Sequence, residues 1–86
     1  PIYVRRKYSE RFGNDKDLII IQLGHKPNSC INGIIDRHAN NNGSPRILGR
    51  KPLKEWITGN FNQGDVMLVE ILSPTAIKIT NPEIRV

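Results

Sequence analysis

The apolar residues of this chain fall in short blocks bounded by turn-forming residues, and this spacing restricts the fold more than any other feature of the sequence. In the densest block, DLIIIQL at residues 17–23, the short length and the β-branched side chains favour a β-strand. No polar residue alternates with these aliphatic ones, so we expect the strand to be buried on both faces of a sheet.

Five further blocks are typical of strands. They are IYV (2–4), CINGIID (30–36), RIL (46–48), VMLVEIL (66–72) and TAIKIT (75–80). The turn residues between the last two blocks predict a hairpin. Gly33 interrupts the alternation of its own block, which indicates a bulge or a bend at that point.

Two segments have the spacing of short helices. In RRKYSERFG, Tyr8 and Phe12 stand four residues apart, as two core residues on one helical face do. In KPLKEWITGNF, Pro52 suits a first turn. In the same segment, Leu53 begins an apolar stripe that continues at Trp56 and Ile57.

The order of these elements predicts the fold class. Strands dominate, and the two helices are too short to cover a parallel sheet, so we expect a mainly β protein with two short helices. The arrangement that fits is a small, open antiparallel β-barrel with helices at its ends. With 86 residues we expect one domain, residues 1–86, and the first residue, Pro1, is also compatible with a domain cut from a longer polypeptide.

Positive charge is concentrated in the first two thirds of the chain. Residues 1–54 contain eleven Lys and Arg against four Asp and Glu, a net charge of +7, whereas residues 55–86 contain two against four, a net charge of −2. Together they give the +5 of the whole chain. Because folding does not require such a charge imbalance, the imbalance indicates a polyanionic partner.

Signatures of catalysis, cofactor binding and secretion are weak or missing in the sequence. His25 and His38 lie in separate polar segments without a zinc-like spacing, and no glycine-rich phosphate loop is present. We therefore expect no catalytic site, metal or cofactor. Cys30 is the lone cysteine and no signal peptide or membrane-spanning stretch is evident, so we expect a cytoplasmic, bacterial or otherwise intracellular protein that does not contact a membrane.

Three groups of basic and polar residues are candidates for binding the anionic partner. The first group lies around the first helix and comprises Arg5, Arg6, Lys7, Ser9 and Arg11. The second lies in DRHANNNGSPR and comprises Arg37, His38, Asn40, Asn41, Asn42, Ser44 and Arg46. The third, Arg50 and Lys51, begins the second helix.

These residue types suit double-stranded DNA. Arg and Lys contact phosphates, Arg also pairs with guanine, and the Asn amide matches adenine. We expect phosphate contacts from Arg5, Lys7, Arg11, Arg50 and Lys51. We expect base contacts from Arg6, Arg37, His38, the three asparagines and Arg46. Single-stranded nucleic acid is less favoured, because only Tyr3 among the aromatic residues is not needed in the core. Two alternatives stay open: DRHANNNGSPR is a solvated loop, or the basic face docks an acidic protein.

Two segments resemble a known DNA-binding family. IYVRRKYSERFG looks like the opening of the plant B-three transcription-factor domain, and LKEWITGNFNQGDVMLVEI is similar to that family's Trp-bearing helix followed by a Gly-Asp turn and a strand. Val4 stands where the family often has proline. The QGD turn before a strand is also similar to that of AbrB-like regulators, which act as dimers.

The resemblance implies a DNA-binding pseudobarrel. Bacterial relatives of this fold are recognition domains of restriction endonucleases, so a nuclease domain on the same polypeptide is expected as a partner. The family grips the major groove with two arms. These map here onto the first group, Arg5 to Arg11, and onto the second group, Arg37 to Arg46.

Overall fold

The computed structural model describes residues 2–38 and 43–82 of the chain. It is mainly β, a curled, open half-barrel of six strands with two helices, which confirms the expected fold class. The strands are β1 (Ile2–Tyr3), β2 (Leu18–Leu23), β3 (Cys30–Asp36), β4 (Arg46–Leu48), β5 (Leu68–Ser73) and β6 (Ala76–Thr80). The helices are a 3-10 helix (Arg6–Arg11) and the α-helix α1 (Arg50–Asn60).

The strands form one sheet in the order β1-β4-β3-β2-β6-β5. Every neighbouring pair is antiparallel except β2 and β6, which run parallel. The chain reaches β6 through α1 and the β5–β6 hairpin. Since β1 and β5 are the two edges of this sheet and do not pair with each other, the barrel is open on one side.

The core lies on the concave face of the sheet. Side chains on this face alternate with outward ones along each strand. The core consists of Phe12, Ile19, Ile21, Ile35, Ile47, Leu53, Ile77 and Ile79. Cross-strand register places Ile21 beside Ile77, and Ile35 beside Ile47. Isoleucine suits these positions because its branched side chain packs well on a pleated surface.

The expectation that β2 is buried on both faces is wrong. Ile19 and Ile21 are fully buried, but Leu18 and Ile20 are 67% and 51% exposed. A half-barrel has a single interior, and the convex side of β2 lies outside it. The unbroken aliphatic run therefore reflects one buried face and one exposed apolar face.

The expected bulge at Gly33 is also absent. The β2–β3 register is continuous from Leu18 and Ile34 to Gln22 and Cys30. A Cβ atom on Gly33 would lie 2.8 Å from both the carbonyl oxygen of Leu48 and Cδ1 of Ile21. The glycine is needed for this close approach.

Helix α1 follows its sequence pattern. Pro52 lies in the first turn, Leu53 is buried, and Trp56 is half-buried against the core. The Trp56 and Phe61 rings meet edge to face, with centroids 5.6 Å apart. At the C-terminus of the helix, the Asn81 side-chain amide donates to the carbonyl oxygen of Asn60 at 3.0 Å, which joins the end of α1 to the end of β6.

The connections between strands lie at two ends of the half-barrel. The loop end contains residues 4–17 with the 3-10 helix, the β3–β4 connection and the hairpin turn at 74–75. The helix end contains residues 24–29, and residues 49–67 with α1. At the loop end, the Gly13 N–H donates to the carbonyl oxygen of Pro74 at 2.8 Å.

The close packing of Gly33 predicts opposite effects for alanine at two glycines. Gly33→Ala should lower the free energy of unfolding by about 1–3 kcal/mol, because the added methyl group meets backbone and core atoms. Gly59→Ala should raise it by about 0.5–1 kcal/mol, because a Cβ atom there has no neighbour within 4 Å and alanine favours the helix. Urea denaturation measures both, and a Gly33→Ala variant as stable as the parent would contradict the packing.

Candidate nucleic-acid interface

The 3-10 helix at the loop end carries the first basic group. It begins after Arg5, which is extended, and it ends at Phe12, whose N–H donates to the carbonyl oxygen of Ser9. Phe12 is buried in the core and anchors the C-terminal end of the helix. A 3-10 helix of six residues at a rise of about 2.0 Å per residue is about 12 Å long.

The cations of this helix point to solvent. Arg5, Arg6, Lys7 and Arg11 are all exposed. Within residues 2–38 and 43–82, none of them has a carboxylate oxygen within 4.0 Å, since the ion pairs there involve only His38, Arg46 and Lys51 as bases. This helix therefore concentrates positive charge that the described part of the fold does not neutralise.

Tyr8 is a surface residue, contrary to the expectation that it belongs to the core. Its ring is flanked by Lys7 Nζ at 5.0 Å and Arg11 Cζ at 6.0 Å from the centroid, and it is 38% exposed. Cations at these distances interact with the face of an aromatic ring. The spacing of four residues predicts a shared face only for an α-helix, and a 3-10 helix has three residues per turn.

Arg37 joins the two predicted arms. Its guanidinium group donates to the Ser9 hydroxyl at 2.8 Å. It also donates to main-chain carbonyl oxygens at 2.8 to 3.1 Å, those of Ser9, Phe12, Gly13 and Gly43. These carbonyls belong to the end of the 3-10 helix and to the β3–β4 connection, so one side chain holds both segments together.

The hydrogen bonds of Arg37 change its expected role. Each of its three nitrogens already donates to oxygens of the protein, and the side chain is half-buried. The sequence predicts that Arg37 contacts bases, but the geometry is that of a positioning residue. Ser9 likewise accepts a hydrogen bond from Arg37, and Ser44 is buried, so both serines support the loop end from within.

Arg46 is paired at the start of β4. Its Nε donates to Asp36 Oδ2 at 2.7 Å across the β3–β4 pair. The hydrogen bond from Arg46, together with the main-chain N–H of His38, holds the pKa of Asp36 below its usual value. In turn, the hydrogen bonds with Asp36 and Tyr3 raise the pKa of Arg46.

His38 lies at the outer surface of the loop end. Its Nε2 is 2.9 Å from Asp15 Oδ2, and the imidazole is largely exposed. The other oxygen of Asp15 accepts the main-chain N–H of Arg37 at 2.8 Å. Asp15 thus fixes the start of the β3–β4 connection. The predicted base contacts Asn40, Asn41 and Asn42 lie outside the described residues.

The third basic group is at the opposite end of the half-barrel. Arg50 and Lys51 begin α1, one β-strand away from Arg46, and both are exposed. Arg50 has a left-handed φ of 57°. The first turn of α1 contains no acidic residue and no side-chain cap, so its positive end is not offset there by a carboxylate. Lys51 Nζ lies 3.8 Å from Glu55 Oε1.

Other kinds of site are not evident in the described residues. Residues 2–38 and 43–82 hold no group of three or more His, Cys, Asp or Glu side chains that could bind a metal ion. In the same residues, no helix has the length and apolar content to cross a membrane. Comparisons with protein-family models, with curated proteins and with solved structures found no match to this chain.

The hydrogen bonds of Arg37 predict a large loss of stability on truncation. Arg37→Ala should lower the free energy of unfolding by about 2–4 kcal/mol, because the carbonyl oxygens it serves lose their donor. Arg37→Lys should recover only part of this loss, since an ammonium group cannot reproduce the planar fork. Urea denaturation gives both values.

Arg6→Ala is the matched control for Arg37. Arg6 is also a basic residue of the loop end, but its side chain is exposed. Its removal should change stability by no more than about 0.5 kcal/mol. Equal effects of Arg6→Ala and Arg37→Ala would contradict the positioning role of Arg37.

The ion pair between Asp36 and Arg46 predicts an acid-sensitive contribution to stability. The pKa of Asp36 is lower in the folded chain than the ordinary 3.8, so the unfolded chain takes up this proton first as the pH falls. The stabilisation is present above that ordinary value and is lost as the pH falls below it. The Tm of the Asp36→Asn variant should therefore fall less steeply between about pH 5 and pH 3 than the Tm of the parent protein. Parallel curves of Tm against pH for the two proteins would exclude this contribution.

Proposed function

We propose that this protein is a double-stranded DNA-binding domain that contacts its partner through the loop end and has no catalytic site of its own. The proposal is supported above all by one observation. Four exposed cations without a carboxylate partner in the described residues lie on and beside a single short helix, and Arg37 holds that helix against the β3–β4 connection. Charge that folding leaves unpaired at one end of a domain suits a polyanion.

The 3-10 helix also agrees with a duplex partner. The major groove, about 12 Å wide, admits a helix. Arg5, Lys7 and Arg11 would contact phosphates along the groove, where Lys and Arg supply the sequence-independent part of the affinity. Arg6 would reach a base edge, since Arg can pair with both acceptors of guanine.

The β3–β4 connection would supply the second arm. The remaining base contacts would come from His38, from Asn40 to Asn42, and from Arg46. Arg37 would act indirectly, because its donors already serve the protein. Arg50 and Lys51 would contribute weaker phosphate contacts, since they lie at the helix end, away from the other two groups.

The biological setting follows from the resemblance of the two sequence segments. A pseudobarrel domain of this kind would serve as the recognition module of a restriction endonuclease, with a nuclease domain on the same polypeptide, or as an intracellular transcription regulator. An AbrB-like dimeric regulator and a protein-interaction or oligomerisation module are the alternatives. Selection from a random duplex library distinguishes them, because only a DNA reader enriches a sequence.

The salt dependence of duplex binding tests the role of the loop end. Arg6 and Arg11 are exposed on the 3-10 helix, so the double variant Arg6→Ala/Arg11→Ala should bind all duplexes more weakly. The slope of log K against log salt should become shallower by about 1.8 if both cations contact phosphates, because each such contact contributes about 0.9. If Arg6 instead contacts a base edge, the slope should change by only about 0.9, and loss of Arg6 in the double variant should relax sequence preference. Fluorescence anisotropy with a labelled duplex measures both quantities.

A variant with the same loss of charge at the other end is the control. Lys26→Ala/Lys54→Ala removes two exposed cations from the helix end, and it should leave the salt slope nearly unchanged. Equal losses of duplex affinity and of salt slope in the two double variants would mean that only the net charge of the protein attracts the duplex. A slope near zero for the parent protein would overturn the proposal.

A further inference from the structure

A groove follows the open side of the half-barrel, between the two edge strands. It encloses about 500 Å³. Its floor and walls are apolar side chains from both edges and from β4, namely Ile2, Val4, Ile47, Met67, Val69 and Ile71. We call it the edge groove. It lies outside the set of residues proposed to read bases.

The strand β5 along this groove is an edge of the sheet. In the described part of the sheet it pairs only with β6. Val69 and Ile71 face the groove, while Leu68 and Leu72 are exposed on the other face, Leu72 by 54%. Edge strands are usually protected by Lys, Pro or a bulge that turns the edge away. β5 contains neither Lys nor Pro, and its register against β6 shifts only at the C-terminal end, between Ile71 and Ser73, so the stretch from Leu68 to Ile71 is regular. Its backbone donors and acceptors are therefore positioned to accept another strand.

The loop end of the edge groove is positively charged. Arg5 and Arg11 line it there, beside Tyr3 and Tyr8, and none of the described residues that line it carries a carboxylate. An apolar groove with two arginines at one end complements a segment that has apolar side chains along its length and carboxylates at one end.

We propose that the edge groove binds an acidic segment of another protein, which adds to β5 as an antiparallel strand. Because β5 runs toward the loop end, an antiparallel partner begins there, so its carboxylates precede its apolar residues. Alternate apolar side chains of the segment pack on Val69 and Ile71, and its carboxylates contact Arg5 and Arg11. This site shares Arg5 and Arg11 with the proposed DNA contact, but its apolar lining and the edge of β5 take no part in that contact.

A second copy of this chain fits the edge groove less well. Each copy has a net charge of +5, so two copies repel each other. The acidic residue that precedes β5 is Asp65, and its Oδ2 already accepts hydrogen bonds from the Asn62 N–H at 2.7 Å and from the Asn81 amide at 3.4 Å. The carboxylates that the arginines favour are therefore better supplied by another protein.

A designed peptide tests the site directly. The probe is a blocked, fluorescein-labelled octapeptide of two glutamates followed by alternating valine and threonine, and its control carries two lysines in place of the glutamates. The protein should bind the glutamate peptide at least about tenfold more tightly in an anisotropy titration. On binding, the β5 amides should become slower in hydrogen exchange, because the added strand covers that edge.

Two variants separate the groove from general charge attraction. Val69→Lys places a charge in the groove and should weaken binding of the glutamate peptide at least tenfold. Leu72→Lys adds the same charge to the exposed face of the same strand and should change binding less than threefold. The double variant Arg5→Glu/Arg11→Glu should instead prefer the lysine peptide, and this swap remains a test if Val69→Lys does not fold.

Three results would overturn the proposal. The first is an absence of binding by the parent protein. The second is binding without β5 protection and with equal affinity in the Val69→Lys and Leu72→Lys variants, which would show attraction by charge alone. The third is a concentration-dependent dimer, measured by sedimentation, that excludes the peptide and places a second copy in the edge groove.

Discussion

The hydrogen bonds of one guanidinium group organise the loop end of this protein. Arg37 follows β3 directly, and its side chain bonds to the Ser9 hydroxyl and to carbonyl oxygens at the end of the 3-10 helix and in the β3–β4 connection. Short helices and polar connections have little stability of their own. The position of the exposed cations beside Arg37, and hence the proposed DNA contact, depends on this group.

The half-barrel also determines which surfaces remain for partners. Because the sheet curls around one core, its convex face, with Leu18 and Ile20, and its two edges are left uncovered by the described residues. The charged end and the open side meet at Arg5 and Arg11, which line the edge groove and also belong to the basic group of the 3-10 helix. The two proposed binding surfaces, which differ in chemistry, are therefore neighbours on one small fold.

Much of the fold follows from local sequence patterns, whereas the role of individual site residues does not. Branched aliphatic blocks and the Pro52 helix start indicated the strands and α1. The prediction that β2 is buried on both faces is wrong, because exposed Ile20 and buried Ile21 differ only in the face of the sheet that they occupy. Charge placed Arg37 in the candidate site, but its partner Ser9 is 28 residues away, and no local pattern signals such a contact.

The central claim is that Arg37 supports DNA binding indirectly, by holding the 3-10 helix in position. A double-mutant cycle of Arg37→Lys and Arg6→Ala, with duplex affinity as the measured quantity, tests this claim most directly. The lysine keeps the charge but not the hydrogen-bonded fork. Circular dichroism first checks that all four proteins are folded. Arg6→Ala should then weaken duplex binding in the parent protein and have much less effect in the Arg37→Lys background. This difference corresponds to a coupling free energy of about 1 kcal/mol or more. Losses of binding free energy that add to within about 0.5 kcal/mol, or an unchanged duplex affinity in the Arg37→Lys variant, would contradict the account.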